Sequence, residues 1–194
     1  MCDCNCTHQP IQPLSPERLE RARIEFSYKR AMDAAKLETQ DQLFSGIAID
    51  IANSLSKCVS KKVAAVAVRD GNIVCVGVNG TAPGDENCCD HFNIDMSNLP
   101  VGHPDREAHS EWSNQYEGHA ELNLVAKAAR EGISLNGCTL YCTLQPCWGC
   151  SKYLKMAGIV RVVYTAKYDR VSKTDDETLE YFEKRKIAVL YLQK

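Results

Sequence analysis

Two short motifs constrain this chain more than any other feature: His119-Ala120-Glu121 and, further along, Pro146-Cys147-Trp148-Gly149-Cys150. An imidazole and two thiolates form a ligand set for zinc, and a catalytic zinc keeps three protein ligands and leaves its fourth position to water. The predicted ligands are His119, Cys147 and Cys150, so the fold must bring two distant segments together around one ion. Glu121 is spare, and a carboxylate that lies beside a metal without binding it is placed to act as a general base.

The alternative for these motifs is a closed structural site, in which a fourth protein ligand replaces the water. Glu121 would then be that fourth ligand. C-x-x-C alone is common, but its combination with H-x-E and with a proline before the first cysteine is not, and the combination favours the open arrangement. It is the signature of zinc enzymes that hydrolyse the amino group of cytosine or adenine.

The expected chemistry follows from the charges. Zinc lowers the pKa of a water molecule in its open position to about 7, so hydroxide is available at neutral pH. Glu121 would take the proton, pass it to the ring nitrogen of the base, and later protonate the departing ammonia. One carboxylate would therefore move every proton of the reaction.

Hydrophobic periodicity places both motifs at helix starts. Residues Glu117 to Arg130 have the spacing of a helix that ends at Glu131-Gly132, with the histidine and the glutamate in its first turn. Residues 139–143 are a predicted strand, and Pro146 is expected to begin a second helix, where its missing N–H costs nothing. The two cysteines are three residues apart and should share one face of that helix.

The rest of the chain predicts a mixed α/β domain, residues 41–194, after an N-terminal extension, residues 1–40. In the extension, residues 1–15 are expected to be flexible and Pro16 to Glu38 to form a charged helix. The domain is expected to continue with a helix at 42–55, strands at 63–68 and 73–78 joined by an Arg-Asp-Gly-Asn turn, a strand at 159–164, a helix near 175–184 and a strand at 187–191. Residues 79–114 are expected to be an irregular loop that carries function.

Composition narrows the class of partner. The chain has 194 residues, 44% of them hydrophobic, and neither a long apolar run nor a signal peptide is evident, so we expect a cytoplasmic protein that does not cross a membrane. In that setting, 11 cysteines favour metal binding over disulfides. With 23 Lys and Arg against 25 Asp and Glu, the formal charge of −2 provides no basic field for a polynucleotide, so a small substrate is favoured over nucleic acid.

At this point the chain resembles the deoxycytidylate (dCMP) deaminases, particularly the bacteriophage-encoded type, in the zinc-dependent cytidine/deoxycytidylate deaminase superfamily. The likeness covers about residues 42–192 and rests on five motifs: Gly77-Val-Asn-Gly80, Asn87-Cys-Cys-Asp90, His109-Ser-Glu-Trp-Ser113, His119-Ala-Glu-Leu-Asn123 and Thr143-Leu-Gln-Pro-Cys147. The chain departs from the family pattern at Val78, where tyrosine is usual, at Ala64, where glycine is usual, and at Gln145, where serine or glutamate is usual.

The resemblance implies a cytidine-deaminase-like, three-layer α/β/α fold with a mixed five-stranded sheet. It also implies hydrolysis of dCMP to dUMP and ammonia for thymidylate synthesis, in a homo-oligomer of six subunits. The implied regulators are dCTP, which activates, and dTTP, which inhibits, with Mg²⁺ bridging the effector's phosphates.

A second, structural zinc site is also implied by the resemblance, with Cys58, Cys88, His109 and Glu117 as its ligands. The residues alone leave three competing ligands nearby, Cys89, His91 and His103, and leave open that Cys58 and Cys88 are ordinary buried thiols. Cys2, Cys4 and Cys6 with His8 lack the usual zinc spacing and are left out of the predicted site.

Substrate recognition needs a pocket for the base and a cation for the phosphate. The backbone N–H of Ala120 is suited to hold the pyrimidine carbonyl, and Asn79 is expected to reach the sugar hydroxyl. By resemblance, the phosphate lies near Ser60 and Lys62, with Arg106 and Tyr153 as further donors; surface charge is the alternative for the lysine.

The effector is expected near a flexible loop, Gly77 to Gly80, and near Lys127 and Arg130 on the helix that follows His119. Resemblance places this site at a subunit interface. One helix would then join the active site to the effector site.

Two other classes of function remain as alternatives. A tRNA adenosine deaminase would share the zinc motif but should have a basic surface for its RNA. A non-catalytic, zinc-stabilised binding protein would be expected to have lost the spare carboxylate, which this chain keeps as Glu121.

Overall fold

The computed structural model describes residues 15–168 and 173–193. The chain forms two compact units, residues 1–39 and 40–194. The predicted flexible segment with Cys2, Cys4, Cys6 and His8 lies outside the described residues, apart from Ser15 at its end.

Helix α1 (Pro16–Leu55) begins in the first unit and is one helix, so the predicted separation into residues 16–38 and 42–55 is wrong. The Oγ of Ser15 accepts a hydrogen bond from the backbone N–H of Arg18 at 3.4 Å, and proline follows at the first helical position, where it is tolerated. Residues 36–42 contain no proline or glycine that would end the helix. Of the helices in the described part of the chain, α1 included, none combines the length and the apolar content that a bilayer span requires.

The second unit is built on a five-stranded sheet with the order β2-β1-β5-β6-β7. The strands are β1 (Ala64–Arg69), β2 (Asn72–Val78), β5 (Thr139–Cys142), β6 (Arg161–Tyr164) and β7 (Ala188–Tyr191). β1 is antiparallel to both of its neighbours, whereas β5, β6 and β7 run parallel. The predicted mixed sheet is confirmed.

Side chains of β1 alternate between two hydrophobic cores, one on each face of the sheet. Ala65 and Ala67 belong to one core together with Leu124 and Leu154, whereas Val66 and Val68 belong to the other core, which includes Phe44 of α1. The first core is covered by helices α4 (Ala120–Glu131), α5 (Trp148–Met156) and α6 (Lys173–Lys184). The layers are therefore helix, sheet and helix, as the resemblance implies.

The turn between β1 and β2 is the predicted hairpin. Asp70 and Gly71 both have positive φ, 53° and 75°, as a two-residue turn of type I′ requires. The Asp-Gly pair tolerates that conformation at low cost, because glycine has no Cβ.

The long segment after β2 is more ordered than predicted. It contains β3 (Gly80–Thr81), α2 (Cys88–Phe92) and α3 (Pro104–Tyr116). Helix α3 has a clear start, because the Nδ1 of His103 accepts a hydrogen bond from the backbone N–H of Asp105 at 3.3 Å and Pro104 follows the cap.

Both helices that carry the metal motifs begin two or three residues later than predicted. Residues Glu117–Gly118 form a short strand, β4, which pairs with β3, so α4 starts at Ala120 with His119 as its N-cap. Helix α5 starts at Trp148, because Cys147 is the N-cap and its Sγ accepts a hydrogen bond from the backbone N–H of Cys150 at 3.5 Å.

A buried ion pair joins the part of α1 in the second unit to the sheet. The carboxylate of Asp41, 3% exposed, accepts two hydrogen bonds of 2.6 Å from the guanidinium of Arg161. The hydroxyl of Tyr141 donates a third at 2.9 Å, and burial together with this carboxylate raises the pKa of Tyr141 well above its usual range. Such a bidentate pair fixes orientation as well as contributing energy.

Candidate active site

The amino ends of α4 and α5 bring the three predicted ligands of the catalytic metal together. The Nδ1 of His119 lies 3.5 Å from the Sγ of Cys147 and 3.5 Å from the Sγ of Cys150. The three ligand atoms lie within 4.8 Å of one another. Although His119 is the N-cap of α4, its side chain makes no capping hydrogen bond with the described residues, so the imidazole is directed to the cysteines.

The local electrostatics favour a thiolate at this point. A side-chain hydrogen bond from Cys150, followed by one from His119, lowers the pKa of Cys147 to about 4. The same hydrogen bond raises the pKa of Cys150. The positive end of a helix also stabilises a negative charge. One imidazole and two cysteines fit zinc, with three protein atoms and a fourth position open to water.

Glu121 is placed for proton transfer beside this group. It is 3% exposed, and burial is the main reason that its pKa is raised to about 7. Its carboxylate is not a member of the three-residue ligand group, which favours the open site over the closed alternative. A carboxyl group with a pKa near neutrality can both accept and return a proton.

A cavity of about 440 Å³ opens over these residues. This volume lies in the range of sites that bind small molecules. Its lining includes residues of the catalytic group and several further polar side chains. The lining residues that bear on function are Ser60, Lys61, Asn79, Arg106, Ala120, Glu121, Cys147 and Tyr168.

The structure brings Ser60, Asn79, Arg106 and Ala120 to this cavity, as predicted, but not Lys62 or Tyr153. Lys61 and Val63 line it, whereas the Nζ of Lys62 donates to the backbone carbonyl of Asn53 at 3.3 Å, so Lys62 lies outside this lining.

Tyr153 also lies outside this lining, and its role in holding the phosphate stays a prediction. The packed face of α5 is marked by its buried residues Cys150, Ser151 and Leu154. Tyr153 lies off that face and is 48% exposed, outside the cavity lining.

The lining also contains residues that the predicted site lacks, and two of them, Lys61 and Tyr168, bear on substrate binding. The Nζ of Lys61 lies 5.8 Å from the ring centroid of Tyr168, so the two side chains share one end of the cavity. Neither residue belongs to a local motif.

Asn79 lines the cavity, but its amide is mostly engaged within the fold. Its Oδ1 accepts hydrogen bonds from the Oγ of Ser56 at 2.7 Å and from the backbone N–H of Val63 at 2.8 Å. Its Nδ2 donates to the carbonyl of Lys61 at 2.9 Å. One N–H of the amide is left for a ligand.

The prediction of a flexible loop from Gly77 to Gly80 is wrong. Gly77 and Val78 belong to β2, and Gly80 belongs to β3. A Cβ atom at Gly77 would lie 2.3 Å from the carbonyl oxygen of Ala120, so glycine is required there for the close approach of β2 to α4. Close packing, and not backbone flexibility, therefore explains why this position is a glycine.

The cations predicted for the effector, Lys127 and Arg130, are exposed on α4. Arg130 forms an ion pair with Glu131 at 3.0 Å. Both lie outside the cavity lining, so their role in regulation stays a prediction.

The four residues implied for a second metal also gather in one place. The ligand atoms of Cys58, Cys88, His109 and Glu117 lie within 4.8 Å of one another, with 3.4 Å between the Sγ of Cys58 and the Nε2 of His109. The Oε2 of Glu117 accepts a hydrogen bond from the Oγ of Ser113 at 2.6 Å. Its Oε1 is buried and has no hydrogen-bond partner in the part of the chain that the structure describes.

That orphaned oxygen fits a metal ligand, because an unsatisfied buried carboxylate oxygen is costly. Two sulfurs, a nitrogen and an oxygen form a closed, four-ligand set suited to a structural zinc.

The competing ligands for this second site are engaged elsewhere. Cys89 contacts Asp90 at 3.6 Å, and the Nδ1 of His91 lies 3.0 Å from the carboxylate of Glu86. His103 caps α3. The structure thus separates these three residues from the cluster that the sequence alone left open.

Comparison with known proteins agrees with the site. Residues 38–166 match the family model for the cytidine and deoxycytidylate deaminase zinc-binding region. The deoxycytidylate deaminase of Enterobacteria phage T4 is 38% identical over 148 residues, which cover 64% of this chain and 77% of that protein. That of Mycobacterium phage D29 is 36% identical over 124 residues, covering 64% of this chain and 92% of the relative.

Solved structures give the same result. The dCMP deaminase of cyanophage S-TIM5 in its apo form has a TM-score of 0.58 and 26% identity, covering 78% of this chain and 96% of that one. Its structure in complex with dCMP and dUMP has a TM-score of 0.51 and 25% identity, covering 94% and 100%. The fold and the metal motifs define a zinc-type deaminase. More narrowly, the chain belongs to the cytidine and deoxycytidylate deaminase family, and the resemblance drawn from the motifs is confirmed.

We expect two zinc ions per chain that can be removed separately. Cys147→Ser should lose one zinc and leave thermal stability nearly unchanged, whereas Cys58→Ser should lose the other and lower Tm by at least about 5 °C, because a closed metal site stabilises the folded state. Metal analysis and thermal unfolding of the purified chain measure both effects. Cys75→Ser is the matched control, since Cys75 is a buried thiol outside both clusters. One zinc per wild-type chain would contradict the second site.

Proposed function

We propose that the chain hydrolyses dCMP to dUMP and ammonia. The observation that carries this proposal is the buried carboxyl of Glu121 beside a three-residue ligand group on the wall of a cavity. The names of the phage relatives and the dCMP and dUMP bound to the cyanophage enzyme support this substrate.

His119, Cys147 and Cys150 would hold the zinc, which when bound supplies a Lewis acid that makes water acidic enough to react at neutral pH. Glu121 accepts a proton from the attacking water at its carboxylate and delivers it to the ring nitrogen next to the amino-bearing carbon. The water oxygen forms a bond to that carbon, and Glu121 then takes the second proton from the resulting hydroxyl and gives it to the amino group. The carbon–nitrogen bond breaks, ammonia leaves, and the hydroxyl oxygen becomes the carbonyl oxygen of the product.

Orientation of the base is assigned to the first turn of α4. The backbone N–H of Ala120 is one of the four at the helix start that lack an intrahelical partner, and Ala120 lines the cavity. It donates to the carbonyl of the pyrimidine. This donor distinguishes cytosine, which has a carbonyl beside the ring nitrogen, from adenine, which has none.

Replacing Glu121 by Gln should lower kcat by at least about 100-fold while the zinc content stays unchanged, because the carboxylate moves protons and is not a ligand. Release of ammonia from dCMP and metal analysis of the same preparation test this. Glu131→Gln, the same substitution at an exposed position of the same helix, is the control and should retain activity. Loss of zinc from Glu121→Gln would contradict the assignment of this residue as a non-ligand.

The phosphate of the nucleotide is assigned to the end of the cavity lined by Ser60, Lys61 and Arg106. Two cationic side chains and a hydroxyl suit a phosphate group. Arg106 would bind it while its Nη1 donates to the backbone carbonyl of Leu99 at 3.0 Å. Lys61 takes the role that the sequence suggested for Lys62, because its side chain is the one on the cavity side.

Lys61→Met should raise KM for dCMP about tenfold, equivalent to about 1.4 kcal/mol of binding, and should change turnover of deoxycytidine much less, since that substrate has no phosphate. Lys62→Met is the matched control, because its side chain lies outside the cavity lining. Steady-state kinetics with both substrates measure the difference. Equal effects of the two substitutions would contradict the phosphate site.

Regulation by dCTP as activator and dTTP as inhibitor, in a hexamer that supplies dUMP for thymidylate synthesis, is the further part of the proposal. The resemblance supports this part of the proposal. Helix α4 supports it as well, because the helix begins next to His119 and carries Lys127 and Arg130 on its exposed surface. Mg²⁺ would bridge the phosphates of the effector. Two states with different affinities for the effectors are required, since a ligand shifts an equilibrium only through differential affinity.

Kinetics with dCMP should therefore be sigmoidal, become hyperbolic with dCTP, and be suppressed by dTTP. Arg130→Glu should weaken both responses without loss of zinc, whereas Lys184→Glu, an equivalent change on α6, should not. Hyperbolic kinetics indifferent to both nucleotides, in a zinc-loaded oligomer, would exclude regulation and leave the deaminase assignment standing.

A further inference from the structure

Asn123, in the first turn of α4, connects three backbone segments that border the active site. Its Nδ2 donates to the carbonyl oxygens of Val78 at 2.9 Å, Gly118 at 3.1 Å and Gly80 at 3.3 Å. These carbonyls belong to the end of β2, to β4 and to β3. An amide has only two N–H groups, so the three oxygens share them.

One of these contacts, together with a backbone hydrogen bond, bears on His119. The side chain of Asn123 holds the carbonyl of Gly118, immediately before the histidine, and the backbone N–H of Asn123 donates to the carbonyl of His119 itself at 2.9 Å. The peptide groups on both sides of His119 are therefore held by one residue. The imidazole faces Cys147 and Cys150 and makes no cap bond within the described chain, so these peptides fix the backbone from which it reaches the two sulfurs.

The other two contacts bear on the cavity wall. Val78 and Gly80 are the residues before and after Asn79, which lines the cavity. One amide thus holds the backbone on both sides of Asn79 and the backbone before the metal-binding histidine. The packing is tight, because a Cβ atom at Gly118 would lie 2.2 Å from the Oδ1 of Asn123.

We propose that Asn123 is a positioning residue for the deaminase: acting through these carbonyls, it fixes the imidazole of His119 and the position of Asn79 relative to each other. The inference rests on the proposed zinc site. Asn123 itself is absent from the cavity lining and from the ligand groups of the described chain.

Asn123→Ala should reduce zinc affinity at the catalytic site by about 10- to 100-fold, the range found when a residue that orients a metal ligand is removed. Competition with a chelator measures this. The same variant should lower kcat more than it raises KM. In the metal-free protein, the backbone amides of residues 118–121 should exchange hydrogen faster than in the wild type, because the backbone that precedes α4 is no longer held.

The control is Tyr141→Phe, which removes a buried hydrogen bond to Asp41 away from the catalytic group. It should lower Tm without changing zinc affinity or the exchange of residues 118–121, so a general loss of stability is distinguished from loss of positioning. If Asn123→Ala does not fold, Gly118→Ala gives the same test, because its Cβ would displace the amide.

Wild-type zinc affinity and unchanged exchange at residues 118–121 in a folded Asn123 variant would overturn the proposal. The exchange measurement needs no zinc. It therefore still decides the role of Asn123 if the wild-type chain binds no zinc, a result that would instead overturn the proposed function.

Discussion

The close approach of α4 to β2 fixes where every other part of the site can lie. At Gly77 the helix comes so near the strand that a Cβ would meet the carbonyl of Ala120, the first residue of α4. This contact sets the position of the helix start, and with it the imidazole of His119 and the carboxyl of Glu121. The amino end of α5 then brings the two cysteines next to His119. The positions of the metal ligands therefore depend on this packing of the main chain.

The two metal clusters are parts of one wall. Glu117 belongs to the cluster with Cys58 and Cys88, and His119, two residues later, belongs to the other. Cys58, His109 and Glu117 also line the cavity that Glu121 faces. A metal bound in the closed cluster would hold the segment from α3 to α4 in place. Because β4 lies in this segment, directly before His119, the same metal would also support the catalytic cluster.

The motifs in the sequence predicted the catalytic ligand group and the spare carboxylate, because spacing is a local property, whereas the mixed five-stranded sheet and the second ligand group were implied by the resemblance. They did not predict where α4 begins, since the pairing of β4 with β3 competes with helix formation at residues 117–118. They also could not choose between Lys61 and Lys62, because that choice depends on which side of an extended segment faces the cavity. Asn79 illustrates a third limit: its hydrogen bonds come from distant residues, Ser56 and Val63, which no motif pairs.

The ion pair of Asp41 with Arg161, and its bond from Tyr141, have a consequence for the divergence of such chains. Loss of one partner of a buried pair leaves an uncompensated charge that costs about 3–5 kcal/mol, a large part of the stability of a single domain. An apolar replacement of the whole group need not be costly. The three positions, which lie in α1, β5 and β6, are therefore expected to be inherited as a unit: descendants keep all of them or exchange them together, and chains with only one of the two charges should be rare.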